Sequence, residues 1–297
     1  MKILITGGSG LLGQYLNITL SVSNSILTIY NSNEGNCTSY RSEKTDLNDL
    51  KKLKEIFLTF KPDVVIHTAA ISRPESCNEL PLDTVMNINV TSSVQLARLC
   101  SRNKAKLIFT STDLVYDGDA GQMLSEDSVI NPVSLYAQTK IQSETEIMNI
   151  FDNYIILRTS LLYGLGLNHS VNNFHLMYHN FMSNKPVRLF YDQFRTPLAL
   201  RDAAELIEEL IKTDVKDITL NFGGKERVSR AELGEILCEL GNFDKALIEK
   251  ISMSDVTALN KVADVSMNTD KLKSLGLNQK SIEESIHIIL NNEHLSV

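Results

Sequence analysis

The chain is poor in cysteine, and its four, Cys37, Cys77, Cys100 and Cys238, are widely scattered. That scatter excludes a Cys-x-x-Cys metal knuckle and a dense disulfide framework, leaving reduced thiols as the simplest expectation. An excess of basic residues is also missing: 29 Lys and Arg face 36 Asp and Glu, a formal charge of −7. This balance argues against a broad nucleic-acid or membrane surface. No apolar run approaches the roughly 18 residues of a membrane helix. The first expected strand starts at residue 2, leaving no room for a signal peptide, so a cytoplasmic location is expected. Internal repeats and low-complexity segments are absent. What is present, 297 residues at 43% hydrophobic content, suits one large α/β domain or a nucleotide-binding domain with a smaller partner.

Residues 1–13 read Met-Lys-Ile-Leu-Ile-Thr-Gly-Gly-Ser-Gly-Leu-Leu-Gly. Lys2 to Thr6 is a β-branched and apolar run, expected as a strand buried on both faces of a parallel sheet. Gly7, Gly10 and Gly13 follow at a spacing of three, while the apolar pattern turns helical through Leu11, Leu12, Tyr15, Leu16 and Leu20. Strand, tight turn and helix in that order make a seat for a diphosphate, because the helix N-terminus offers unpaired N–H groups and glycines let the backbone come close. Gly7 allows the turn, Gly10 the approach to phosphate and Gly13 the packing of helix on strand; Ser9, Leu11 and Leu12 complete the expected nucleotide contacts. Glycines spaced in this way resemble the extended short-chain dehydrogenase/reductase superfamily. That resemblance implies a Rossmann-type, doubly wound parallel sheet, and a Tyr-x-x-x-Lys pair after a fourth or fifth strand.

Ser25 to Tyr30 reads as the second strand. A carboxylate at its end would favour NAD and an arginine NADP, but Tyr30, Asn31, Ser32 and Asn33 supply neither. Small polar residues leave room for a phosphate that no carboxylate repels, which tips the expectation to NADP(H) over NAD(H) and leaves both open. Asp46-Leu47 is expected to open a helix running to about Phe60, with Asp46 as its cap; the resemblance places both residues on the adenine. Asp63 to Thr68 is the next strand, ending in Thr68, Ala69 and Ala70, small enough for a backbone passing close to a cofactor. His67 before them is expected to pack and not to catalyse. The helical stretch Asp83 to Asn103 carries Asn89, which the resemblance places near the nicotinamide.

The strand Lys106 to Thr110 leads into Ser111-Thr112-Asp113-Leu114-Val115-Tyr116-Asp117-Gly118, and Ser134-Leu135-Tyr136-Ala137-Gln138-Thr139-Lys140 opens a helix. Tyr136 and Lys140 are the implied pair, one helical turn apart on one face. In that geometry the Lys140 ammonium lowers the phenol pKa and holds the nicotinamide ribose. Thr112 stands four residues before Tyr116, where the superfamily carries its catalytic Ser or Thr, and by resemblance bonds the substrate carbonyl.

The Ser-Thr-Asp-Leu-Val-Tyr-Asp-Gly stretch resembles the Ser-Thr-Asp-Tyr-Val-Phe-Asp-Gly of dTDP-4-dehydrorhamnose reductases. Tyr136 to Glu144 resembles their Tyr-Gly-x-Thr-Lys-x-x-Gly-Glu, with Ala137 and Ser143 in place of glycines. In that family Asp113 would lie near the sugar, and Thr159 and Ser160, after the strand Tyr154 to Leu157, would complete the nicotinamide pocket. Tyr191 to Leu198 resembles Asp-Gln-x-Gly-x-Pro-Thr, with Asp192, Gln193 and Pro197 matching, Arg195 in place of glycine and Leu198 in place of threonine. Arg195 is either a bidentate partner for a substrate diphosphate or a surface arginine. His175 and His179 lie a turn apart, but without the Glu of a metalloprotease helix. They are expected on a half-buried helix lining the cleft, with no metal. A core over 1–165 is expected, followed by a mainly substrate-binding lobe over 166–297 interleaved with core elements returning at about 186–222.

The leading expectation is an NAD(P)H-dependent reductase of a 4-keto-6-deoxy sugar nucleotide. Hydride goes to the C4 carbonyl, Tyr136 donates the proton, Lys140 tunes Tyr136, and Thr112 orients the carbonyl. A sugar-nucleotide epimerase on the same fold is an alternative. A dehydratase is disfavoured, because Leu114 follows Asp113 where an Asp-Glu pair is usual. A third reading is a non-catalytic regulatory subunit. The methionine adenosyltransferase β subunit resembles the same reductases, keeps a Tyr-x-x-x-Lys pair and follows its glycine turn with Leu-Leu-Gly, as at Leu11-Leu12-Gly13. Expected partners are a nucleotide-sugar substrate and, at most, a second copy in a homodimer, with neither nucleic acid nor membrane.

Overall fold

Ile3, Leu4 and Ile5 are fully buried, and alternate side chains leave for opposite faces of a sheet. Ile3 and Ile5 pack with Leu12, Leu16 and Leu20 on one side, while Leu4 packs with Leu27, Leu53 and Phe57 on the other. A strand buried on both faces needs helices on both, and the computed structural model, which describes residues 1–256 and 262–291, supplies them.

The strands β1 (Lys2–Thr6), β2 (Ser25–Tyr30), β3 (Ser42–Lys44), β4 (Val64–His67), β5 (Lys106–Thr110) and β6 (Tyr154–Thr159) join Ile218–Phe222 in a seven-stranded sheet. All its pairings are parallel, in the order Ile218–Phe222, β6, β5, β4, β1, β2, β3. The order reverses between β1 and β4, and a crevice opens there at the carboxyl ends of the strands. The helices α1 (Leu11–Ser21) and Leu200–Ile211 cover one face through Leu12, Leu16, Leu206 and Leu210. The helix α2 (Leu50–Phe60) and Ser92–Asn103 cover the other.

Three sequence readings shift. The helix expected from Asp46 begins at Leu50, because Asp49 and not Asp46 accepts the capping bond from the Lys52 N–H at 2.9 Å. Asp46 instead closes its own turn, accepting from the Asn48 N–H at 2.8 Å. The stretch expected as a helix over Asp83–Asn103 contains a π-helical turn at Asn87–Thr91. Leu198 and Leu200 pack into the core of the sheet, whereas Val187–Phe190, expected among the core elements returning at about 186–222, pairs in parallel with Ile248–Ile251. That small pair belongs to a C-terminal lobe with the helices Asn173–Met182, Arg230–Gly241 and Ile282–Leu290, whose core includes Phe174, Met177, Phe181, Leu237 and Ile286. No helix among the described residues is long and apolar enough to cross a membrane.

Candidate active site

Between the sheet and the lobe lies a cleft of about 1240 Å³. A pocket for one drug-sized ligand holds roughly 300–1,000 Å³, and this cleft exceeds that range. The whole turn, Gly7, Ser9, Gly10, Leu11, Leu12 and Gly13, lines it. Gly7 has φ +71°, which favours glycine. A Cβ on Gly13 would stand 2.1 Å from the Gly7 carbonyl oxygen, so helix and turn touch backbone to backbone. A Cβ on Gly10 would meet only that oxygen, at 3.1 Å, and Gly10 caps α1 with no side-chain bond. The turn therefore offers an open floor with uncapped N–H donors, as a diphosphate requires. Asp46, Leu47, Thr68, Ala69 and Ala70 line the same cleft.

Asn89 does not. It is buried behind the wall, accepting from the Ile71 N–H at 2.8 Å and donating to the Ile71 carbonyl at 3.2 Å and the Thr139 hydroxyl at 3.0 Å. The π-helical turn carries it there, and its bonds brace the loop after β4 and the tyrosine helix. His67 packs, as expected, and does so with partners: Nδ1 lies 2.6 Å from the Thr6 hydroxyl and Nε2 3.0 Å from the Ser93 hydroxyl. Burial, with the charge of Lys140 adding to it, holds its imidazole down to about 3.

Tyr136 and Lys140 share one face of the helix Leu135–Ile150, which Ser134 caps by accepting from the Ala137 N–H at 3.2 Å. Both line the cleft with Thr112, Asp113, Thr159, Ser160 and Arg195. Burial, reinforced by the Asp113 carboxylate, raises the Tyr136 phenol well above its usual range, against the hydrogen bonding of Thr112. Burial is the largest influence on this phenol; the Lys140 ammonium, expected to lower it, lies 6.0 Å from the Tyr136 ring centre and donates to the Thr110 carbonyl at 2.8 Å. Burial brings Lys140 itself down to about 8, with Glu144 opposing. A phenol kept protonated is a proton donor in waiting, which suits reduction of a carbonyl.

The Thr112 hydroxyl accepts from the Leu114 N–H at 3.2 Å and donates to Asp113 Oδ1 at 3.3 Å. Asp113 Oδ2 accepts from the Ser160 hydroxyl at 3.3 Å and faces Arg195 Nε at 3.5 Å. Sequence reasoning missed the support beneath this cluster. Ser111 donates to Glu144 Oε1, Glu144 Oε2 pairs with Arg158 Nη2 at 3.0 Å, and Arg158 Nη1 donates to the Tyr116 hydroxyl at 3.2 Å. All four are buried, and together they tie the Thr112 loop to the helix one turn beyond Lys140. It also missed Arg230, which lines the cleft from the lobe. Glu144 was visible as the last residue of the tyrosine-helix motif, whereas Arg158 and Arg230 carried no local signal.

Residues 1–294 match the family described as RmlD substrate binding domain. The chain belongs to this family. Its fold is that of the extended short-chain dehydrogenases/reductases. The chain is 26% identical over 289 residues to methionine adenosyltransferase 2 subunit beta of Bos taurus, covering 94% of this chain and 84% of that one. It is 24% identical over 274 residues to dTDP-4-dehydrorhamnose reductase of Aggregatibacter actinomycetemcomitans, covering 90% and 86%. The crystal structure of dTDP-4-dehydrorhamnose reductase from Bacillus anthracis in complex with NADP has the same fold, with a TM-score of 0.85, 22% identity and coverage of 98% and 99%. Among the described residues no group of three or more His, Cys, Asp and Glu is placed to hold a metal ion.

Proposed function

We propose that the protein is an NAD(P)H-dependent reductase of a 4-keto-6-deoxy sugar nucleotide, similar to dTDP-4-dehydrorhamnose reductase. The observation that carries this reading is the convergence of Thr112, Tyr136 and Lys140 on the cleft that also contains the open glycine turn. Gly7, Gly10 and Gly13 would hold the cofactor diphosphate, Asp46 and Leu47 the adenine side, and Thr68 to Ala70 with Thr159 and Ser160 the nicotinamide side. A reduced nicotinamide supplies hydride. Tyr136 gives its proton to the developing alkoxide, Thr112 orients the carbonyl oxygen, and the Lys140 ammonium holds positive charge beside both. NADP(H) ranks above NAD(H) because Asn31, Ser32 and Asn33 line the cleft at the end of β2 without a carboxylate.

The test is oxidation of NADPH, then NADH, followed at 340 nm with a dTDP-4-keto-6-deoxy sugar. Tyr136→Phe is expected to lose at least about a hundredfold in turnover while keeping cofactor affinity; undiminished turnover refutes the mechanism. A regulatory-subunit reading has one specific support, the 26% identity to a methionine adenosyltransferase β subunit. Retention of a methionine adenosyltransferase catalytic subunit on the immobilised protein, with no cofactor oxidation, would favour it.

A further inference from the structure

Three ionic side chains meet at the substrate end of the cleft: Asp113, Arg195 and Arg230. Arg195 stands where the reductase pattern has glycine, and it is not available to a ligand. Its Nη1 donates to the Phe194 carbonyl at 2.6 Å and the Val262 carbonyl at 3.3 Å, its Nη2 to Val262 at 3.3 Å, and its Nε faces Asp113. The guanidinium is spent on protein.

Arg230 differs. It begins the helix Arg230–Gly241, and its Nε donates to the Gln193 side-chain oxygen at 3.1 Å. Its N–H also donates to the Gln193 carbonyl at 3.2 Å, so Gln193 grips it twice. Among the described residues neither terminal nitrogen of Arg230 has a hydrogen-bond partner, and both belong to a residue that lines the cleft. Burial and the neighbouring Arg195 bring its guanidinium down to about 9, with Asp113 opposing. Asp113 faces both cations, while of the two only Arg195 also feels Asp264, and the flat fork left over on Arg230 has the geometry of a bidentate partner for an oxyanion.

We infer that Arg230, tethered by Gln193 and backed by the Asp113–Arg195 pair, binds an anionic group of the substrate: the diphosphate of a nucleotide sugar or a carboxylate on its sugar. The inference rests on the nucleotide-sugar reading and replaces Arg195 with Arg230 as the residue that meets the anion. Arg195 has the supporting part, occupying Asp113 so that this carboxylate does not pair with Arg230 in the ligand's place.

Equilibrium binding tests this without turnover. With NADPH present, the affinities of dTDP, UDP-glucose and UDP-glucuronate are measured by calorimetry on the wild type, Arg230→Gln and Arg230→Lys. Arg230→Gln is expected to weaken binding about tenfold or more, and Arg230→Lys only about threefold, because a point charge keeps attraction and loses the fork. NADPH affinity should not move. A loss shared by all three ligands assigns the diphosphate, and a loss confined to UDP-glucuronate assigns the sugar carboxylate; either supports the inference. Unchanged affinities in Arg230→Gln overturn it, and so does a wild type that binds none of the three. Gln193→Leu, which releases the tether and keeps the charge, is expected to lose about threefold, and serves should Arg230→Gln fold poorly. An absence of NADPH oxidation with the three affinities behaving as expected would fault the reductase reading alone.

Discussion

The two ends of the cleft recognise by different means. At the glycine turn the protein presents backbone: Gly7, Gly10 and Gly13 act by having no side chain, and the helix N-terminus behind them is uncapped. At the other end it presents charged side chains, the buried pair Asp113 and Arg195 with the half-buried Arg230, steadied below by Glu144 and Arg158. A backbone seat is fixed by local geometry and tolerates little change of sequence. A seat of side chains can be re-specified one residue at a time, and the departure from the reductase pattern at Arg195 falls there.

The largest expected effect tests the side-chain end. Glu144→Gln leaves the Arg158 guanidinium buried without its counter-charge, which costs about 3–5 kcal/mol. Urea unfolding should show that loss, and a cost below about 1 kcal/mol would mean the network is not what holds the Thr112 loop. Gly13→Ala tests the other end. Its Cβ would stand 2.1 Å from a backbone oxygen, so about 1–3 kcal/mol of stability is lost, and NADPH affinity falls about tenfold or more as the turn is displaced. Fluorescence titration of NADPH measures the second quantity.

Lys140 gives an effect of opposite sign in two assays. Its ammonium discharges as pH rises through about 8, so kcat/KM should fall above that pH by about tenfold per unit. The unfolded lysine keeps its proton to about 10.4. Between those values the unfolded chain binds more protons, and this residue's contribution to stability therefore rises with pH while activity falls. A descending limb near pH 10 would show that the buried ammonium is better stabilised than its surroundings indicate. The smallest effect is a control: Asp49→Ala removes the cap of α2, costs about 1 kcal/mol and leaves NADPH affinity unchanged.

The same contrast explains what the sequence could tell. The spacing of Gly7, Gly10 and Gly13 and the one-turn separation of Tyr136 and Lys140 are local relations, and β1, α1 and the tyrosine helix stand where those relations put them. Asn89, expected near the nicotinamide, is turned onto Ile71 behind the cleft lining, and the π-helical turn that aims it there has no sequence period of its own. The strand β3 is three residues long and polar, too short to show alternation. Arg230 lies 117 residues beyond Asp113 in the chain, and nothing short of the fold brings the two together. The pairing of Arg158 with Glu144 joins β6 to the tyrosine helix and is a property of packing that no local pattern carries.

His67 carries a consequence for the acid limit of the protein. The unfolded imidazole takes a proton near pH 6.5, whereas the buried one, held between Thr6 and Ser93, resists protonation to about 3. Its contribution to stability is complete above pH 6.5 and is withdrawn as pH falls towards 3, by about 1.4 kcal/mol for each unit. A side chain with no part in the chemistry thus bounds the acidity in which the chemistry can be carried out.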